Sequence, residues 1–86
     1  MRPPALVADD LGFGNRGAFG RRVRARREEL DLSQEAAADQ FGVHWTYLGQ
    51  VERGQRPARV DNILKLAYGL DTTPGALLDG VPFIAD

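Results

Sequence analysis

Residues 32–54 read "LSQEAAADQFGVHWTYLGQVERG", and they decide the fold. Ser33 is a natural N-cap, because its hydroxyl accepts one of the orphan amides at a helix start. Glu35 in the first turn suits the positive end of the helix. The spacing predicts a short helix of about eight residues, ended by Gly42 in the left-handed position past the last turn. A second helix opens at about His44 and is stopped by Gly54. Its period turns Tyr47, Leu48 and Val51 inward and sends His44, Trp45, Thr46, Gly49 and Gln50 elsewhere. Two short helices joined by a tight glycine turn make a helix-turn-helix. Ala38 is small enough for a close crossing, and Leu48 and Val51 lock the second helix onto the first.

The flanks extend the same pattern. From Ala18, the apolar positions Phe19, Val23 and Leu30 line one helical face, with Arg21, Arg22, Arg24 and Arg26 mostly off it. Arg27 falls close to the core side, where a guanidinium requires a carboxylate. After the proline-containing loop "QRPAR", residues 60–70 predict an amphipathic helix carrying Ile63, Leu64, Ala67 and Leu70. A last short helix has Thr73 as its cap and Pro74 at its first position. Residues 1–17, with two prolines and three glycines, read as a flexible arm, and residues 80–86 as an apolar tail. The expectation is an all-α domain of five helices over residues 18–79, with no strand and no repeat.

Composition narrows the function. A chain of 86 residues makes one small domain with a thin core. It has no cysteine and one histidine, His44, which argues against a structural zinc site or a histidine-based triad. No convergent acid–base set or nucleophile is visible, so the chain does not read as an enzyme. No run approaches the roughly 18 apolar residues of a membrane span, and the start lacks a signal-peptide pattern, so the expected location is the cytoplasm. The net charge of −1 is unevenly distributed. Residues 16–59 hold nine arginines against six carboxylates, a balance of +3, while residues 60–86 stand at −3. A basic face of this kind can steer a polyanion, the bland alternative being a solvated arginine-rich helix. "GFGNRG" (Gly12, Gly14, Gly17) spells a dinucleotide fingerprint, but that motif needs a βαβ unit and none follows.

The segments "LSQEAAADQFGV", "TYLGQVERG", "ILKLAYGL" and "PGALLDG" together resemble the Cro and phage-repressor (XRE) family of helix-turn-helix regulators, over about three quarters of the chain. The His44-x-Thr46-Tyr47 opening of the second helix also resembles restriction–modification controller proteins. The resemblance implies a lambda-repressor-like DNA-binding fold, no cofactor, and a role for each matching position. Gln34 would touch a phosphate and brace the recognition helix, and Ser33 would be a second phosphate contact. Trp45, Thr46 and Gln50 would reach base edges or the nearby backbone. His44 and Tyr47 would lie near phosphates, with Tyr47 serving as core wedge, phosphate donor or both. Arg53, Arg56 and Arg59 would clamp the backbone, and Arg27 with Glu52 would form an internal ion pair. Gln50 has the chemistry to pair with adenine N6 and N7. Trp45 stands where relatives often carry arginine or glutamine and cannot make a bidentate base contact. It would touch thymine methyls, sugars or backbone, or else fold back on the domain or bind a protein. Gly49 replaces a common serine, Ala37 a usual core leucine, and Pro57 comes one residue early.

The function that follows is a sequence-specific transcriptional regulator, a repressor acting as a homodimer on a two-fold double-stranded DNA operator. Ala76, Leu77, Leu78, Val81, Phe83 and Ile84 would supply the dimer surface. The alternative is an antitoxin-like protein-interaction module, gripping a partner through the N-terminal arm or the tail. Operator, regulated genes and any signal are not legible.

Overall fold

In the computed structural model, residues 14–81 are described. They form five helices: α1 (Gly14–Glu29), α2 (Gln34–Phe41), α3 (Trp45–Glu52), α4 (Val60–Gly69) and α5 (Pro74–Leu78). No strand occurs among the described residues, so the fold is all-α as its pattern predicts. Helix α1 starts four residues ahead of the expected Ala18. Gly14 and Gly17 are buried within it. Residues 14–17 therefore belong to the first helix rather than to an arm, and residues 1–13 lie outside the described part. Glycine weakens an isolated helix by about 1 kcal/mol per residue, so tertiary packing has overruled propensity here. The same placement removes the glycine loop that a nucleotide fingerprint would need.

Phe19, Val23 and Arg27, four residues apart, form the inner face of α1. The core joins Phe19 and Val23 to Ala37, Ala38 and Phe41 of α2, Leu48 and Val51 of α3, Leu66 and Ala67 of α4, Leu70, and Leu77 of α5. Leu30, Leu32, Val43, Tyr47, Ala58 and Ile63 pack at its margin. On α4 the expected stripe is corrected. Leu64 is 52% exposed, and Leu66 is the fully buried leucine. Ile63, Leu66, Ala67 and Leu70 share one face, whereas Leu64 lies about 100° round the helix from Ile63.

Four helices end the same way. Asp31, Gly42, Gly54 and Asp71 take the left-handed conformation, with φ of 57°, 73°, 73° and 53°. After each, the next amide reaches back five residues: Leu32 to Arg27 (3.1 Å), Val43 to Ala38 (3.1 Å), Gln55 to Gln50 (2.8 Å) and Thr72 to Ala67 (2.9 Å). This stop satisfies carbonyls that the helix itself leaves free. Helices α2 and α5 are capped at their starts by Ser33 Oγ, which accepts from Ala36 N, and by Thr73 Oγ1, which accepts from Ala76 N, both at 3.0 Å.

Two features of α1 set the other helices around it. Arg26 donates from Nε to Leu70 O (2.9 Å) and from Nη2 to Asp71 O (3.1 Å), placing a cation at the carbonyl end of α4. Gly20 lets the backbones of α1 and α3 touch. A Cβ there would collide with Val51 O and stand 2.8 Å from Glu52 O. Gly20→Ala should therefore cost about 2 kcal/mol or more, lowering Tm by roughly 10 °C in a domain of this size. Gly75→Ala, whose Cβ would meet nothing nearer than 3.7 Å, should be neutral or stabilising. Thermal unfolding of the two variants beside the parent checks both, and equal melting would refute the close-crossing argument.

Candidate nucleic-acid interface

Helix α3 has eight residues, too few to be stable alone, so its position depends on what holds it. At its start His44 is the N-cap, its ring Nδ1 accepting from Thr46 N at 3.1 Å. That bond leaves Nε2 as the ring's donor. The imidazole also stacks on Trp45, with centroids 6.1 Å apart and planes 23° from parallel. Trp45 itself is 53% exposed and does not fold back into the core.

The far end of α3 is fixed from within. Arg27 and Glu52 are 8% and 6% exposed. Arg27 Nε donates to Glu52 Oε2 at 2.6 Å, and Nη2 to Oε1 at 3.0 Å. Arg27 Nη1 donates to Leu32 O at 2.7 Å, and Gln34 Nε2 donates to Glu52 Oε1 at 3.0 Å. The cluster ties α1, the loop after it, α2 and α3 at one point. The hydrogen bond to Glu52 raises the Arg27 pKa above its ordinary value despite the opposing effect of burial, and the carboxylates of Glu52 and Glu28 add attraction. No buried side-chain nitrogen or oxygen is left unpaired among the described residues.

Gln34 thus turns its amide nitrogen inward to Glu52. Gly49, expected to point away from the domain, is buried against α2 and the next turn. A Cβ on it would stand 3.0 Å from Arg53 Nη1 and 3.5 Å from Gln34 Oε1.

Thr46, Gln50 and Arg53, at i, i+4 and i+7, form one outward stripe, with Trp45 beside its start. The loop after α3 folds back along it. Arg53 Nε donates to Gln55 Oε1 at 3.2 Å, and Arg56 Nη1 to Gln50 Oε1 at 3.4 Å. The Arg56 guanidinium lies 5.7 Å from the centroid of the Tyr47 ring. Tyr47 packs at the core margin, and its hydroxyl oxygen accepts from Asn62 Nδ2 of α4 at 2.9 Å. That oxygen still has its own proton to donate. Arg59 is the exposed residue before α4, with no side-chain cap bond. Ser33 is exposed at the α2 start.

Among the described residues the ion pairs are Arg24–Glu28, Arg26–Glu29 and Arg27–Glu52. Arg53, Arg56 and Arg59 therefore form a cationic rim with no carboxylate partner there. Sequence reasoning missed Arg26 and Asn62, since neither sits on an apolar stripe and both act through contacts distant in the chain. On α5, Leu77 is 2% exposed and belongs to the core, so it is not free for a dimer surface. Leu78 is 40% exposed and Val81 half-buried; Phe83 and Ile84 lie outside the described residues.

A short helix held proud of a crossing helix, with a polar outer stripe and a cationic rim, defines a helix-turn-helix domain. The family model described as "Helix-turn-helix domain" matches residues 18–80, and the chain belongs to that family. It is similar to the control protein C.BamHI of Bacillus amyloliquefaciens, 40% identical over 62 residues that cover 71% of this chain and 76% of the relative. The restriction–modification controller protein C.AhdI from Aeromonas hydrophila superposes with a TM-score of 0.71 at 47% identity, covering 72% of this chain and 94% of that one. The P22 c2 repressor, solved in complex with a synthetic operator, superposes at 0.67 with 35% identity, covering 72% and 94%.

Removing one partner of the buried cluster strands the others. Glu52→Ala should lose roughly 3–5 kcal/mol of stability, and Gln34→Ala about 1 kcal/mol. The apolar pair Arg27→Met with Glu52→Leu should recover most of the loss. Urea unfolding of these three proteins reads the differences directly. A Glu52→Ala loss below about 1 kcal/mol would mean that the cluster does not hold α3.

Proposed function

We propose that this helix-turn-helix protein binds double-stranded DNA sequence-specifically as a transcriptional repressor, acting in the cytoplasm as a homodimer on a two-fold operator. The observation that carries the reading is the pairing of the Thr46–Gln50–Arg53 stripe with Arg53, Arg56 and Arg59, which have no carboxylate partner among the described residues. Base-capable side chains lie on the outer stripe of the short helix α3, and phosphate-capable cations follow at its C-cap and in the loop after it. Trp45, Thr46 and Gln50 would face base edges in the major groove. Ser33, Gln34, His44, Tyr47 and the three arginines would anchor phosphates, which set register but carry no sequence information. The relatives named as control proteins, and the operator-bound P22 repressor, support this assignment. No helix among the described residues is long and apolar enough to cross a membrane.

A single small domain gains affinity by pairing two half-sites about 34 Å apart. With Leu77 in the core, the described apolar surface available for pairing is Leu78 and Val81 together with Val60, Leu64 and Tyr68. These last three recur every four residues along the outside of α4 and are 73%, 52% and 89% exposed. We place the dimer contact on this combined surface. An antitoxin-like protein partner remains the second reading, favoured by the exposed Trp45.

Selection from a random duplex library, followed by binding of the full chain at several salt concentrations, tests the reading. A two-fold site should emerge, with affinity falling steeply as salt rises. Arg53→Ala should weaken selected and unselected duplexes alike and make the salt dependence shallower by about one phosphate contact. No enriched site, or salt-independent binding, would refute the regulator. Light scattering should give a dimer that Leu64→Glu or Leu78→Glu converts to monomer. A parent that scatters as a monomer, with and without DNA, would remove the dimer.

A further inference from the structure

We infer that Gln50 and Arg56 act as one reading unit, in which Arg56 engages the amide oxygen of Gln50 and the unit turns mainly hydrogen-bond donors to the base, so that it selects guanine rather than adenine. The inference rests on the DNA-binding reading above and specifies its chemistry. The guanidinium of Arg56 is located from two sides: its Nη1 meets the Gln50 side chain at 3.4 Å, and its central carbon lies over the Tyr47 ring, 5.7 Å from the centroid. Tyr47 is itself fixed by Asn62 at 2.9 Å and by its packing at the core margin. The loop cation is thus placed beside the outward stripe by a chain of contacts that starts on α4.

This contact fixes which end of the Gln50 amide is free. Arginine has donors and no acceptor, so the atom facing it is the amide oxygen. The nitrogen of the same amide is the end turned from that contact, and on this inference it faces the base together with the remaining guanidinium N–H groups. A base approaching this corner meets donors from both side chains. Guanine offers N7 and O6, both acceptors, at its major-groove edge. Adenine offers the acceptor N7 and the donor N6, and N6 would meet donors and a positive charge. The sequence taken alone allows Gln50 the familiar pairing with adenine; Arg56 turns it away from that choice. Arg56 is here a positioning residue for Gln50, in addition to any phosphate it reaches.

The test uses the full chain and the duplex site obtained by library selection, with the base pair changed at the position where Gln50→Ala alters preference. The parent should favour guanine over adenine there by about tenfold, in the range of one good base contact. Arg56→Ala should reduce that ratio to about threefold or less. Gln50→Ala should lower it in the parent background and change it no further in the Arg56→Ala background. Arg56 is exposed and Gln50 half-buried on the outer stripe, so their variants should melt close to the parent, which circular dichroism checks. A merely electrostatic Arg56 would weaken all duplexes alike and leave the ratio unmoved. An adenine preference in the parent, an unchanged ratio in Arg56→Ala, or additive effects of the two substitutions each overturns the inference while leaving the regulator intact. Absence of any selected site overturns both.

Discussion

The buried Arg27–Glu52 pair, with Gln34 as its third member, is the constraint on which the rest depends. Helix α3 contributes only Leu48 and Val51 as large fully buried apolar side chains. Two such contacts hold a short helix against the domain but leave its rotation about its own axis loosely determined. Rotation is what decides which side chains face outward, since residues one position apart point about 100° from each other. A bidentate arginine–carboxylate contact is directional. With Gln34 on the same carboxylate, the last turn of α3 is fixed relative to both α1 and α2. Buried ion pairs add little net stability over an apolar equivalent. Orientation of α3 is the benefit such a pair can supply here.

Helix α1 is the element against which this orientation is measured. Adjacent arginines on it serve opposite partners: Arg27 reaches the end of α3, and Arg26 the carbonyl end of α4. Gly20, about two turns earlier on the same helix, lets α3 approach to backbone contact. The repeated left-handed stop then turns the chain sharply after α1, α2, α3 and α4. Short helices with abrupt ends allow a small core to be enclosed without long connections, and they leave the α3–α4 loop close to the helix it follows. That proximity brings Arg56 back over Tyr47.

The helix-turn-helix was legible because its signals are local. Ser33, Gly42 and Gly54 act within one turn of themselves, and Leu48 and Val51 follow a simple period. Arg27 was legible by elimination, as a cation on an apolar face. What escaped is non-local or tertiary. Gly14 and Gly17 look like a flexible arm, and only their burial against the rest of the domain shows them to be part of α1. Leu64 and Leu66 flank the same apolar stripe in the chain, and the direction of the core decides for Leu66. Leu77 and Leu78 form one apolar run in the chain, yet they point about 100° apart on the helix, and only Leu77 meets the core. Asn62 and Arg26 carry no signal in one dimension, because their partners lie 15 and 44 residues away. The period turns Gln50 outward, but its partner Arg56 comes from a loop whose return path the chain alone does not reveal.

The two ends of α3 differ in chemistry, and on the proposed reading this divides the work of recognition. At the C-terminal end, Gln50, Arg53 and the loop arginines offer many donors and positive charge. At the N-terminal end, the outward surface is the stacked pair of His44 and Trp45. An indole has one N–H and no acceptor, so it cannot follow a donor–acceptor pattern along a base edge. Its broad apolar face instead suits thymine methyl groups and sugars, which attract by contact area rather than by hydrogen bonding. Stacking on His44 reduces the freedom Trp45 would lose on docking, because the imidazole is already held by its cap bond to Thr46 N. The cap that starts the helix thus also steadies the exposed aromatic beside it. A helix of eight residues then reads hydrogen-bonding pattern at one end and apolar shape at the other, and Thr46 lies between them with a hydroxyl and a methyl suited to either.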